Sequence, residues 1–408
     1  MELPTPKRDM MLQQLLMALA FAIPWAKKGI PTIIGFIVLI ALIRYIRRKD
    51  WTVPLWPTAA VSLASLFLLL VAGTAYSEHP NDAWNEIGIK CSFLIFPFLA
   101  FITPALDKRE VSSIHRAFVA GCFLFIAITI THAAIITLQH HDWYYLTYDR
   151  LSWYMHPTYA AAYQAMALYI LIEARLQNKV IFKLRGIDTV AILTALIYVA
   201  LLSSKAGYLC ALLVVAFAVY RSFILGLQWT RIITNAILIT AVFIVTILAL
   251  PTTSERVEHA VRDIQTSEPT SANADTAAAS HTSSTQVRLI TWSAGWELLG
   301  TNPFGTGTGD TQPELDVIYE RNSEHYAAAR HFNTHNQFLQ TGAEIGWFGL
   351  AALCICLGSI WNIGRFEHTA RLFVLLCLLN FLFESFLEVQ AGIVFFSFWT
   401  LVYSKEAR

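Results

Sequence analysis

Apolar and polar residues segregate along this chain in blocks as long as whole helices. Twelve apolar stretches, at about 10–26, 30–46, 57–75, 87–105, 115–138, 157–174, 187–203, 206–222, 232–250, 336–360, 371–387 and 390–404, are separated by gaps that hold most of the charge. An apolar helix of about 20 residues matches a hydrocarbon core of ~30 Å, and in lipid each backbone amide must be satisfied within its own segment. The pattern therefore predicts an all-α integral membrane protein with about 12 transmembrane helices. Residues 187–221 would measure roughly 52 Å as a single helix, too long for one crossing. The chain is expected to turn back at Ser203, Ser204, Lys205, Ala206 and Gly207. The first stretch lacks a small-residue cleavage site and is expected to remain as a span.

The gaps alternate in sign. With both termini cytoplasmic, most of the 29 Lys and Arg residues fall on the inner side and most of the 28 Asp and Glu on the outer, as positively charged short loops require. The outer face then carries one long polar gap, which divides the chain into helices 1–9 (residues 1–250), a large loop (251–335) and helices 10–12 (336–408). Within the loop, residues 266–286 lack bulky apolar side chains and are expected to form a mobile linker. After it, Leu289, Trp292, Trp296 and Leu299 recur at helical spacing, predicting an amphipathic helix at the membrane surface. No repeat of fixed period is visible.

Composition agrees with a lipid-solvated protein: 56% of residues are hydrophobic and 14% charged, against roughly 25% charged in soluble domains. A net charge of +1 argues against a nucleic-acid partner recruited by overall basicity, so membrane lipids are the expected surroundings. Cys91, Cys122, Cys210, Cys354, Cys356 and Cys377 all lie in apolar runs and read as packing residues, not a disulfide framework or a metal site.

Candidate chemistry gathers on the outer face. His335 and Asn336 stand at the mouth of the tenth stretch, where a histidine can take a proton near neutral pH; capping the helix is the plainer role for both. His331 lies four residues earlier and would share that face only if the helix began so far out. Arg288 opens the amphipathic segment with a planar fork suited to phosphate oxygens, or is a solvated loop charge. Lys205 interrupts an apolar hairpin and must either snorkel to the headgroups or meet an anion at a helix start. His156 sits in an aromatic gap, 140–159, whose rings suit a membrane interface or sugar stacking. Asp310 closes NPFGTGTGD, a glycine-rich turn without the context of a phosphate loop, and would cap the turn or orient a neighbour. Glu344 lies inside the tenth stretch and is expected to face the bundle. No outer group of carboxylates shows metal-ligand spacing, so neither a metal nor another cofactor is expected.

The run RLITWSAGWELLGTNPFGTGTGD, followed by HNQFLQTGAEIGWFGL, resembles the signature region of the bacterial O-antigen ligase and polysaccharide polymerase superfamily, as does the layout of one large outer loop before the histidine span. The resemblance implies a bundle like that of the C-type glycosyltransferases in the bacterial inner membrane. It further implies metal-independent, inverting glycosyl transfer at the periplasmic face. The donor is then a glycan on undecaprenyl pyrophosphate, and in the ligases the acceptor is the lipid A core oligosaccharide. By position, His335 resembles the residue that activates the acceptor hydroxyl, and Arg288 a pyrophosphate-binding arginine. SSKAG at 203–207 resembles a place where many members carry arginine after serine; Lys205 keeps the charge and loses the bidentate fork.

Two further readings make different demands. A polymerase of the same superfamily would lengthen a glycan still attached to its lipid carrier. A lipid or ion transporter would line a path with Lys205, Glu344 and Glu384, three groups placed too far toward one side to form one. A purely structural membrane partner would explain the topology and leave the motif without a role.

Overall fold

The computed structural model describes residues 10–47, 57–179, 181, 186–249, 284–364 and 368–405, with no strand among them. In chain order the helices are α1 Met10–Ala22, α2 Ile30–Arg47, α3 Thr58–Gly73, α4 Pro80–Lys90, α5 Ser92–Ile102, α6 Lys108–His140, α7 Tyr148–Leu151, α8 Pro157–Leu176, α9 Ile187–Leu201, α10 Lys205–Ile224 and α11 Trp229–Ala249. They continue with α12 Ser284–Thr301, α13 Thr311–Arg321, α14 His325–Ala329, α15 Gln337–Ile363, α16 His368–Phe383 and α17 Gln390–Lys405. A helix occupies each apolar stretch of the sequence. Among the described residues, six segments are long and apolar enough to cross a membrane: α2, α3 through Tyr76, α4 with α5, α6, α10 and α15. Helices α1, α9 and α16 are apolar but shorter.

Large apolar side chains point outward. Phe36, Leu138, Ile237 and Leu248 are each more than half exposed, whereas Phe93, Phe118, Tyr163, Phe373 and Trp399 are sealed inside. Such a surface suits a bundle solvated by lipid tails. Helix α3 runs along α15, α1 along α6, and α8 is enclosed by α6, α9, α10 and α16. At one end of the bundle Asp107 and Glu110 form a capping box on α6, and Arg221 meets Glu173 in a buried pair at 2.6 Å.

Three local features shape the opposite end. The turn after α9 falls where the small polar run predicts it: Ser203 takes φ +47 and Ser204 Oγ accepts from Gly207 N at 3.3 Å, starting α10. Helix α12 begins at Ser284, so the linker expected over 266–286 is helical from residue 284; its earlier part lies outside the described residues. On α12, Leu289 and Trp296 are exposed one above the other, while Leu299 is buried and Trp292 turns inward.

Helix α15 is interrupted at Ile345 and Gly346 (φ +69, ψ −165). The break frees the carbonyls of Ala343 and Glu344, which accept from Thr306 N at 2.8 Å and Gly307 N at 3.1 Å, and Trp347 N donates to Pro303 O at 3.0 Å. A Cβ at Gly346 would lie 2.3 Å from Pro303 O, so only glycine admits the loop there. NPFGTGTGD is thus a turn, as its glycines suggest, and its structural task is to satisfy a broken helix. The same loop is tied to α3 by Thr308 Oγ1, which donates to Leu70 O at 2.7 Å.

Candidate active site

A cavity of about 240 Å³ opens among Tyr148, His156, Lys205, Arg288, Phe332, His335 and Glu384, with Thr158, Ser204, Val287 and Tyr326 completing its wall. Five regions far apart in sequence deliver these groups: α7 through the start of α8, the start of α10, the first turns of α12, α14 with the segment before α15, and the loop after α16. Helices α8 and α10 both begin at the wall, and a helix start carries the positive end of its dipole.

His335 is held by its own backbone. Its φ of +47 lies in the left-handed region, which costs a non-glycine residue about 1–3 kcal/mol unless the surroundings impose it. Here they do. His335 N donates to Asn333 Oδ1 at 3.0 Å, Trp292 Nε1 donates to His335 O at 3.3 Å, and Thr291 Oγ1 donates to the preceding carbonyl, Thr334 O, at 3.1 Å. Gly295 lets α12 come this close, since a Cβ there would meet the Thr334 methyl at 2.8 Å. Asn336 then starts α15, its Oδ1 accepting from Phe338 N at 2.9 Å and Leu339 N at 3.1 Å.

The two histidines of the cavity differ in what their Nδ1 atoms meet. His335 Nδ1 lies 3.3 Å from Glu384 Oε1, and a ring nitrogen facing a carboxylate carries its proton there. That leaves Nε2 of a neutral His335 with a free lone pair. His156 Nδ1 instead accepts from Thr158 N at 3.4 Å, so its proton sits on Nε2 and can be donated. Burial pushes the His156 pKa down; the Glu384 charge opposes this, while His335 and Arg288 reinforce it. Burial alone would raise the Glu384 carboxyl, yet the hydrogen bond and charge of His335, with the charges of His156 and Arg288, hold it below the usual carboxylate range. Glu384 is therefore an anion near neutral pH.

Arg288 Nε donates to Phe383 O at 3.1 Å, with its guanidinium carbon 5.9 Å from the centre of the Phe383 ring. Burial lowers its pKa, opposed by Glu384 and Tyr148, from a value so high that the group stays charged. Lys205 Nζ donates to Thr285 Oγ1 at 3.1 Å, one turn before Arg288 on α12. Two cations thus converge on a cavity that also holds a histidine with an available lone pair.

Four residues named from the sequence meet here, namely His335, Arg288, Lys205 and His156. Asn336 adjoins as the helix cap. Three others lie elsewhere. His331 is exposed and pairs with Asp316 at 2.6 Å, because α15 starts only at Gln337 and does not carry it round. Asp310 neither caps α13 through its side chain nor faces His335; it accepts from Ser77 Oγ at 3.0 Å, Glu78 N at 2.8 Å, His79 N at 2.9 Å and His79 Nδ1 at 2.8 Å, clasping the loop after α3. Glu344 does face the bundle, where it meets Lys90 Nζ at 2.7 Å. Glu86, Glu344 and Glu388 bring ligand atoms within 4.8 Å of one another, a convergence that linear spacing does not show. The Lys90 ammonium lies in contact with all three.

Residues 190–354 match the family described as O-antigen ligase. This match over part of the chain supports a place in the O-antigen ligase and polymerase superfamily, whose proteins are glycosyltransferase-like enzymes of polysaccharide assembly. The matched stretch includes Lys205, Arg288 and His335; it begins after His156 and ends before Glu384. No curated protein matches the chain.

Proposed function

We propose that the protein transfers a glycan from a polyprenyl pyrophosphate carrier, undecaprenyl pyrophosphate, to a hydroxyl of the lipid A core oligosaccharide, at the periplasmic face of the bacterial inner membrane. The observation that supports this most is the cavity itself, in which Arg288 and Lys205 stand beside His335 and its carboxylate Glu384.

In this reading His335 Nε2 removes the proton of the acceptor hydroxyl as its oxygen attacks the anomeric carbon. The bond from that carbon to the pyrophosphate oxygen breaks on the opposite side, inverting the configuration. Glu384 holds the imidazole in the required tautomer and stabilises the imidazolium that forms. Negative charge gathers on the departing pyrophosphate and is met by Arg288 and Lys205. At about 4 Å and an effective dielectric near 20, each cation supplies about 4 kcal/mol. These cations take the role a divalent metal would otherwise fill, so we expect activity to survive chelation by EDTA.

The test is complementation of a ligase-deficient strain that carries a matching glycan pathway, with lipopolysaccharide resolved on gels. Polymer attached to lipid A core supports ligation. Longer glycans on the lipid carrier, with none on core, would instead make the protein a polymerase.

A further inference from the structure

The loop after α16 carries Glu384, and the remaining residues of that loop are fastened to the residues on either side of His335. Ser385 Oγ lies 3.3 Å from Thr334 Oγ1, one residue before His335. Leu387 N donates to Gln337 Oε1, two residues after it. Gln337 Nε2 in turn donates to Glu388 Oε1 at 3.2 Å and to Thr341 Oγ1 at 3.0 Å. Glu388 Oε2 receives Lys90 Nζ at 2.9 Å, and the same ammonium reaches Glu344 at 2.7 Å and Glu86 at 3.5 Å. Lys90 and Gln337 are 3% and 2% exposed.

The geometry points to Lys90, Gln337 and Glu388 as positioning residues that hold the Glu384 carboxylate against His335 Nδ1. The arrangement is a clamp with three jaws: α4 through Lys90, α15 at its break through Glu344, and the loop through Glu388. A buried lysine among three acids is a costly device if its only task is to pack helices, because apolar side chains of similar volume do that at least as well. Fixing a direction is what such a network does better. A displacement of about 1 Å in a reacting group can cost about 100-fold in rate. The inference rests on His335 acting as the base.

The experiment compares Glu388→Ala, Glu388→Gln and Gln337→Met with the wild type, and repeats Glu388→Ala in a Glu384→Gln background. It measures kcat per folded molecule and donor KM with purified full-length protein. We expect Glu388→Ala and Gln337→Met to lower kcat by about 10-fold or more with donor KM changed by less than about 2-fold, and Glu388→Gln to recover most of the rate. In the Glu384→Gln background, Glu388→Ala should cost little more, since residues that act through one another are not additive. Unchanged kcat in folded Glu388→Ala and Gln337→Met, or full additivity with Glu384→Gln, would overturn the inference while leaving His335 as the base. An active His335→Ala would overturn the reading beneath it. Lys90→Met leaves the buried Glu344 and the half-buried Glu86 and Glu388 without their cation, so the decision rests on the Glu388 and Gln337 variants.

Discussion

Glu384 Oε1 lies 3.3 Å from His335 Nδ1 although 49 residues separate them in the chain. The contact turns a helix-mouth histidine into an oriented one, with its second nitrogen directed to receive a proton. Replacing Glu384 by Gln keeps the size of the side chain and lets the imidazole settle in either tautomer. We expect kcat to fall by about 100-fold, within the range of a lost general base, with donor KM nearly unchanged. Steady-state kinetics of the purified variant checks this.

In the proposed reaction Arg288 and Lys205 meet the same leaving-group charge by different geometry. Arg288→Lys removes a planar fork and its carbonyl contact, and is expected to lower kcat/KM by roughly 10–100-fold, the range of a lost charge-assisted hydrogen bond. Lys205→Arg keeps the charge and should stay within a few-fold of the wild type, whereas Lys205→Ala should resemble Arg288→Lys. Turnover of the lipid-linked donor at several ionic strengths distinguishes these cases.

Asp310 is expected to contribute to stability in acid. Burial would raise its carboxyl, but donors from Glu78, His79 and Ser77 hold it below the ordinary value. A carboxyl lowered in the folded state stabilises the fold above its unfolded pKa of about 3.9, and that contribution disappears as pH falls through the folded value. Asp310→Asn should therefore be less stable than the wild type at pH 7, by on the order of 1–3 kcal/mol. The gap should narrow below about pH 4. Thermal unfolding in detergent across pH reads this directly.

Gly346→Ala tests the broken helix. The substitution places a Cβ against Pro303 O and Phe304 at a positive φ, and strain alone costs about 1–3 kcal/mol before the clash is counted. A large loss of thermal stability is expected, with loop 302–310 released from α15. Gly35→Ala, in open space on α2, should be tolerated.

Much of this architecture is legible in the sequence because it depends on local physics. Apolar blocks fix where helices stand, and the run from Ser203 to Gly207 marks a turn because serine caps and glycine permits close approach. Lys205 is legible as a charge interrupting an apolar hairpin, His335 as a histidine at a helix mouth, and Arg288 as the outer-side charge that opens an amphipathic segment. Glu384 is legible only as one of three charges too one-sided to line a transport path, since nothing in its neighbourhood points to residue 335. Glu344 is legible as a buried acid and Asp310 as a turn residue, but their partners, Lys90 on α4 and His79 just before it, lie more than 200 residues away. The helix break is hidden for the same reason, because Gly346 is ordinary in sequence until the loop from Pro303 closes against it.

Whether His335 is the base of a glycosyl transfer within this cavity is read from kcat of purified His335→Ala with saturating lipid-linked glycan and acceptor. We expect a loss of about 100- to 10,000-fold with donor affinity retained. A folded His335→Ala protein that turns over at the wild-type rate would contradict it.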